Sequence, residues 1–116
     1  MSVIVGRFYF KLTENGNLLG EYSNNITQKA YTESAVRIEA GRNEFSGDYH
    51  SAWVEDGKAI YAKLVIGESV FGKIYSLKWE EKSGVALFVG RGMLVDGILI
   101  GNYSNDLEYV TPGGSH

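Results

Sequence analysis

Few side chains in this sequence could carry acid, base or nucleophilic chemistry. Apart from His116 near the end, the one histidine is His50, and Ser46, Asp48 and His50 alternate along one stretch, so they would share a face of a strand. Same-face neighbours on a strand lie about 7 Å apart, so a Ser-His-Asp relay would need extended rotamers. We favour an exposed histidine on the outside of a sheet, and we expect no catalytic residue and no enzyme activity.

The sequence has equally few residues that could bind a metal or a cofactor. The chain has no cysteine, so a metal site would depend on carboxylates, and no spaced acidic calcium loop is present. Gly90-Arg91-Gly92 lacks the lysine of a phosphate-binding loop. We therefore expect no metal and no cofactor. Arg91 is either a surface residue or a buried cation paired with a ligand or an acid, so it stays a candidate ligand residue.

The candidate ligand-binding residues are mainly aromatic, and several recur with glycine. Residues 18–24 (LLGEYSN) return as residues 99–105 (LIGNYSN), with related stretches at 45–51 and 70–76. A glycine between two large same-face residues leaves a gap that an aromatic ring can fill and where a strand can bend. The glycines and tyrosines serve curvature and core packing, or they line a cavity. For the second interpretation the candidates are Tyr22, Asn24, Tyr49, Trp53, Tyr75, Trp79, Arg91 and Tyr103.

Composition and charge limit the protein class. The 116 residues have 44% hydrophobic content, 15 Gly and one Pro, which indicates a single sheet-rich domain that we place at 1–111. Residues 112–116 resemble a linker and the start of a histidine tag. The net charge of -3, with scattered Lys and Arg, argues against nucleic acid as a partner. No apolar run approaches the length of a membrane span, and no signal peptide is visible. The sequence therefore assigns no cellular compartment.

Period-two alternation predicts eight short strands. Tight turns such as Asn15-Gly16 and Asp56-Gly57 separate them. Residues 25–40 allow two interpretations. We favour a loop or short helix over 25–33 followed by a strand over 34–40; a helix near 26–40 is the alternative and would shift the class to α+β. The predicted fold is all-β, a single-domain antiparallel up-and-down meander closed into a barrel. The predicted strands cover 3–13, 17–23, 34–40, 43–53, a fifth whose core face runs from Ile60 to Ile66, 70–80, 85–93 and 98–104.

This arrangement resembles the calycin-type barrels, which include lipocalins, fatty-acid-binding proteins and avidins. The nearest local pattern is the avidin one, a strand, a tight turn and Leu-x-Gly-x-Tyr-x-Ser, met here by 8–12, Asn15-Gly16 and 18–24. The resemblance implies a small barrel that binds a small molecule. It places Tyr22 on a ligand-contacting tyrosine of avidins, Asn24 where they have a biotin-bonding serine, and Tyr103 near their acidic ligand residue.

Two functions follow from this fold. The first is a non-enzymatic barrel that binds a small apolar or aromatic ligand in an aromatic-lined cavity, and a cavity of about 300 Å³ or more would favour it. An eight-stranded barrel can also be filled by its own side chains. The second is therefore a structural or protein-interaction module that forms a homo-oligomer through an apolar outer face. This outer face would comprise Val3, Val5, Tyr61, Val65, Val85, Leu87 and Val89.

A further alternative is an isomerase or cyclase that acts inside the barrel. It would need a carboxylate or tyrosine with a shifted pKa inside the cavity.

Overall fold

The computed structural model describes residues 3–27, 29–68 and 73–108 as one closed antiparallel barrel. Each strand pairs with the next in the chain, and the last pairs with the first, so the predicted all-β up-and-down barrel is confirmed. This architecture is compatible with a calycin-like fold. The strands are β1 (Val5–Leu12), β2 (Leu18–Asn24), β3 (Tyr31–Ala40), β4 (Gly47–Glu55), β5 (Lys58–Glu68), β6 (Ile74–Glu80), β7 (Ala86–Val95) and β8 (Ile98–Ser104).

The described part of the chain contains no helix, and so none that could span a membrane. The alternative of a helix near 26–40 is wrong, because residues 31–40 form β3. Two sequence expectations fall outside the described residues: the linker at 112–116, and the start of the related stretch at 70–76.

The predicted Asp-Gly turns join two of the hairpins. Asp56 and Gly57 have φ values of 52° and 76°, and Asp96 and Gly97 have 51° and 78°. Positive φ at both central residues matches the right-handed twist of the flanking strands, which is why Asp-Gly is favoured there. The β1–β2 turn contains Gly16 at φ 81°, whose amide donates to the Thr13 carbonyl at 3.0 Å.

β3 is longer than predicted, and its two large aliphatic residues face outward. Val36 and Ile38 are 56% and 49% exposed, whereas Glu33 and Ala35 are buried. Directly paired residues of a sheet share a face, and Ala35 pairs with buried Leu18 of β2. Ala35 therefore faces inward, and so does Glu33, which lies two residues before it on the same face of β3. A polar side chain therefore enters the barrel at Glu33.

One half of the barrel is filled by side chains. Phe45 and Tyr75 meet at 6.2 Å between ring centroids, and the Tyr49 hydroxyl donates to the Phe45 carbonyl at 2.7 Å. Arg37, pointing in from β3, donates to the Tyr49 oxygen at 2.8 Å and also to the Glu44 carbonyl. These contacts close the end of the barrel beside the β3–β4 loop. The fully buried large residues here are Phe10, Leu18, Phe45, Tyr49, Leu64, Tyr75 and Leu99.

The strand predicted over 43–53 begins four residues later. β4 starts at Gly47, whose φ of 140° favours glycine, and the amide of Gly41 donates to the Ser46 carbonyl at 2.8 Å. The Ser46 hydroxyl also accepts from the Asn43 amide at 2.8 Å. Residues 41–46 are therefore a loop held by its own hydrogen bonds, and Phe45 enters the core from it.

Gly20 provides a test of the close strand packing. A Cβ atom at this position would overlap the carbonyl oxygen of Tyr9 on the neighbouring strand. We expect Gly20→Ala to lower the free energy of unfolding by about 3 kcal/mol, because β1 and β2 must separate. Gly67→Ala is the control, since its Cβ would meet only the Ser76 hydroxyl at 3.2 Å, and should stay within about 1 kcal/mol. Urea denaturation measures both, and equal losses would contradict this reading of the packing.

Candidate ligand-binding site

The other half of the barrel holds a cavity of about 280 Å³. It lies at the end where β2, β4, β6 and β8 finish, opposite the end closed by Arg37 and Tyr49. Buried Phe8, Glu33 and Trp79 line its deep part, and partly exposed Ile60 and Leu87 line its mouth. The full lining is Ile4, Phe8, Tyr22, Asn24, Ile26, Thr27, Glu33, Trp53, Glu55, Ile60, Trp79, Leu87, Phe88 and Tyr103.

Aromatic rings form most of the cavity wall and contact one another around it. Tyr22 packs edge-on against Trp53 and against Tyr103, with centroids 6.2 and 6.1 Å apart. Trp79 lies 5.9 Å from Tyr103 and 5.8 Å from Phe8. Edge-to-face contacts of this kind are the preferred geometry of aromatic pairs, and they fix the rings relative to one another.

An inward-facing glycine of β7, Gly90, makes space for these rings. A Cβ atom at Gly90 would lie 3.2 Å from both Trp79 and Tyr103. Phe88, two residues earlier, packs edge-on against Tyr103 at 5.6 Å and lines the cavity itself. A change of register between β6 and β7 at Trp79/Glu80 accompanies this arrangement, and it brings Leu87 to the mouth.

Glu33 is a carboxyl group buried among these rings, with 4% of its surface exposed. Its Oε2 atom accepts from the Trp79 indole Nε1 at 2.8 Å, across the barrel, and from the Ser51 hydroxyl on the adjacent β4. Burial raises the pKa of the Glu33 carboxyl to about 7, against the lowering effect of the bonds from Ser51 and Trp79. Near neutral pH this group therefore exists in both protonation states.

Two tyrosines at the mouth are held by polar partners on other strands. The Tyr22 hydroxyl donates to Glu55, the last residue of β4. The Tyr103 oxygen accepts from the Asn24 side-chain amide at 2.9 Å. The side-chain oxygen of Asn24, Oδ1, in turn accepts from the backbone amides of Ile26 and Thr27, both at 2.9 Å, which orders the loop beside the mouth.

Both hydroxyls stay protonated across the physiological range. Burial raises the pKa of Tyr103 to about 12, and the hydrogen bond from Asn24 opposes this increase. Burial also raises the pKa of Tyr22, and its hydrogen bond to Glu55 adds to the effect. The cavity therefore offers neutral phenols together with a carboxyl group that titrates near pH 7.

The structure separates the eight candidate residues into three groups. Tyr22, Asn24, Trp53, Trp79 and Tyr103 line the cavity. Tyr49 and Tyr75 are buried in the closed half. Arg91 is exposed on the outer face of β7, paired with Ser76 and Asn102, because inward positions on that strand belong to Gly90 and Gly92. His50 is likewise exposed on the outer face of β4.

Among the cavity residues that the sequence reasoning missed, Glu33 and Glu55 are the charged ones. Glu33 fell in a segment assigned to a loop or a short helix, and Glu55 in a hairpin turn. A signal existed, because Tyr31, Glu33, Ala35 and Arg37 continue the period-two alternation backward from 34–40. The apolar residues Val36 and Ile38 lie at the alternate positions of the same strand. Their hydrophobicity suggests that they face inward, and this conceals the inward position of Glu33.

Clefts of similar volume also lie outside the barrel interior, among the described residues. One of about 300 Å³ lies beside the β3–β4 loop, near Gly41 and Glu68, and one of about 320 Å³ lies near Arg7 and Asn102. Neither is lined by an aromatic ring. Ligand sites are usually apolar concavities with a few converging polar groups, which fits the cavity inside the barrel.

Among the described residues, no group of three or more His, Cys, Asp or Glu side chains could hold a metal ion. Comparison of the chain with protein families, with curated proteins and with solved structures finds no match. The fold and the site thus define a closed eight-stranded barrel with a buried aromatic cluster, compatible with ligand binding, and the particular function must be argued from the cavity.

The buried carboxyl should make stability depend on pH. The pKa of Glu33 is about 7 in the folded protein against 4.5 for an unperturbed group, so the folded state binds more protons between these values. The free energy of unfolding should therefore fall by about 3 kcal/mol as pH rises from about 5 to 8, because Glu33 must lose its proton in the folded protein. Glu33→Gln stays neutral, and its amide oxygen can still accept from Ser51 and Trp79. We expect this variant to match the wild type at pH 5 and to be more stable at pH 8.

Urea denaturation at a series of pH values measures this difference. Glu39→Gln, the same change at an exposed position of the same strand, is the control and should follow the wild-type curve. Parallel curves for Glu33→Gln and the wild type would show that Glu33 is already charged at pH 5 in the folded protein.

Proposed function

We propose that this protein is a non-enzymatic barrel that binds a small molecule in its aromatic cavity. The observation that carries the proposal is the unequal filling of the interior. One half is packed with side chains, and the other leaves about 280 Å³ between aromatic rings. A chain that only needed a core could fill this space, since an eight-stranded barrel is narrow enough to be filled by side chains.

The volume favours a ligand of about two rings. Drug-sized ligand pockets start at about 300 Å³, so this cavity of about 280 Å³ lies at their lower limit. An apolar cavity of about 150 Å³ is enough to bind benzene. Apolar and aromatic lining gives affinity through burial, while Glu33, Glu55 and the Tyr103 hydroxyl supply polar contacts that select the ligand.

A cavity-filling substitution tests the proposal. Ile60 lines the mouth, and its neighbour Tyr61 points away from the barrel with 72% of its surface exposed. We expect Ile60→Trp to weaken binding of 2-indanol, a neutral two-ring probe, by about tenfold or more, because the indole occupies the ligand volume. Tyr61→Trp is the matched control and should bind as the wild type does. Calorimetric titration measures the affinities, and thermal melting verifies that both variants fold.

The native mass of freshly purified protein is the companion measurement. Extra mass of a few hundred daltons that disappears on denaturation would identify a carried ligand. A wild-type protein that carries no extra mass and does not bind 2-indanol would contradict the proposal, as would equal 2-indanol affinity in the two tryptophan variants.

The homo-oligomer remains a prediction, and the same native mass measurement tests it by giving the number of chains in the assembly. On the expected outer face, Val3, Val5, Tyr61 and Val85 are exposed. Leu87 lines the cavity mouth instead. A ligand-free oligomer of defined stoichiometry would favour an interaction module.

Proton transfer is a second candidate function, favoured by Glu33 alone. Its carboxyl has a pKa of about 7 inside an apolar cavity, the property expected of a general acid or base at neutral pH.

Exchange of the α-protons of 2-indanone in D₂O, followed by NMR, tests whether Glu33 transfers protons. A catalyst would accelerate exchange over buffer, and Glu33→Gln would abolish the acceleration while Glu39→Gln would not. Exchange no faster than in Glu33→Gln would exclude Glu33 as a base toward this ketone.

A further inference from the structure

We propose that the cavity selects an organic cation, an amine or quaternary ammonium with an aromatic or aliphatic body, whose charge pairs with the Glu33 carboxylate. This inference rests on the proposed binding function and specifies the ligand class of the same site. It is carried by three features of the cavity: the sign of its charged groups, the free oxygen of Glu33, and the aromatic rings around it.

The charged groups that line the cavity are both acidic. Glu33 lies in its deep part and Glu55 at its mouth, and no Lys, Arg or His is among its lining residues in the described chain. Lys29 packs over the Tyr31 ring at 5.8 Å from the centroid and does not line the cavity. An anion would therefore meet like charges in a poorly solvated space, whereas a cation would be attracted by both carboxylates.

One oxygen of Glu33 is left for a ligand. The Trp79 indole and the Ser51 hydroxyl both donate to Oε2. Among the residues that the structure describes, no hydrogen-bond donor or cation reaches Oε1. A buried carboxylate is costly unless it is paired, so a cationic ligand beside Oε1 would supply the missing partner and favour the ionised form.

The rings complete a cation site. Tyr22, Trp53, Trp79 and Tyr103 surround the cavity, and the electron-rich faces of such rings attract ammonium groups, most strongly where water is excluded. Clusters of aromatic residues are a common means of binding quaternary ammonium ions, which cannot donate hydrogen bonds. The hydroxyls of Tyr22 and Tyr103 already contact Glu55 and Asn24, which holds the two rings in position.

A matched pair of probes separates charge from hydrophobicity. Benzyltrimethylammonium and neopentylbenzene have the same shape, and only the first is charged. Hydrophobic burial alone would favour neopentylbenzene. We expect the cation to bind at least about tenfold more tightly at pH 8, and phenylacetate to bind most weakly. Quenching of the two tryptophans, Trp53 and Trp79, both of which line the cavity, reports binding.

Substitution and pH assign the charge preference to Glu33. Glu33→Gln should lose about tenfold in affinity for benzyltrimethylammonium and keep its affinity for neopentylbenzene, and Glu39→Gln should change neither. In the wild type, affinity for the cation should fall by about tenfold in total between pH 8 and pH 5 and then level off, because the proton competes with the ligand for the carboxylate. The other titratable groups that line the cavity are Tyr22 and Tyr103, which stay neutral, and Glu55.

The outcomes distinguish this inference from the function on which it rests. Equal or tighter binding of neopentylbenzene would overturn the cation preference and leave the binding function intact. A cation preference that survives in Glu33→Gln would also overturn the assignment, because the charge would then be held elsewhere. Failure of all three probes, together with failure of 2-indanol, would contradict the binding function itself.

Discussion

The fixed width of an eight-stranded barrel is the constraint on which the rest of the structure depends. An interior of this size can be filled by side chains or can hold one small ligand. Here one end of the barrel is filled by side chains and the other contains a cavity. Large residues such as Phe10, Leu64 and Leu99 fill one end, while rings with hydrogen-bonded tips surround a space at the other. The shape of the cavity therefore depends on polar contacts as well as on packing.

Those polar contacts link strands that are not neighbours. Trp79 of β6 donates to Glu33 of β3, and Tyr22 of β2 donates to Glu55 of β4. Because each bond spans the interior, it fixes the distance between two walls and orients a ring. A cavity held in this way is preformed, so the proposed binding of a small molecule would need less ordering. The cost is the burial of a carboxyl group, whose charged form is disfavoured in an apolar interior.

The sequence predicted the architecture well because the fold is built from local signals. Alternation and Asp-Gly turns are properties of short segments, and they located the hairpins at Asp56-Gly57 and Asp96-Gly97. The orientation of β3 could not be predicted this way. It depends on pairing with Leu18 and Ser51, residues distant in sequence, and this pairing turns Val36 outward against its hydrophobicity. Tyr22 and Tyr103 were identifiable as cavity candidates, whereas Glu33 required the register.

Closure of the barrel also places the two ends of the described chain beside each other. The Ile4 amide donates to the Asn105 side chain at 2.8 Å, and the Asn105 amide donates to the Ile4 carbonyl at 3.2 Å. Ile4 itself lines the cavity. Circular permutation, with Ile4 and Asn105 joined by a short linker and the chain reopened at Asp96-Gly97, would move both ends to the closed side of the barrel. In the natural order, β1 begins and β8 ends beside the entrance of the cavity.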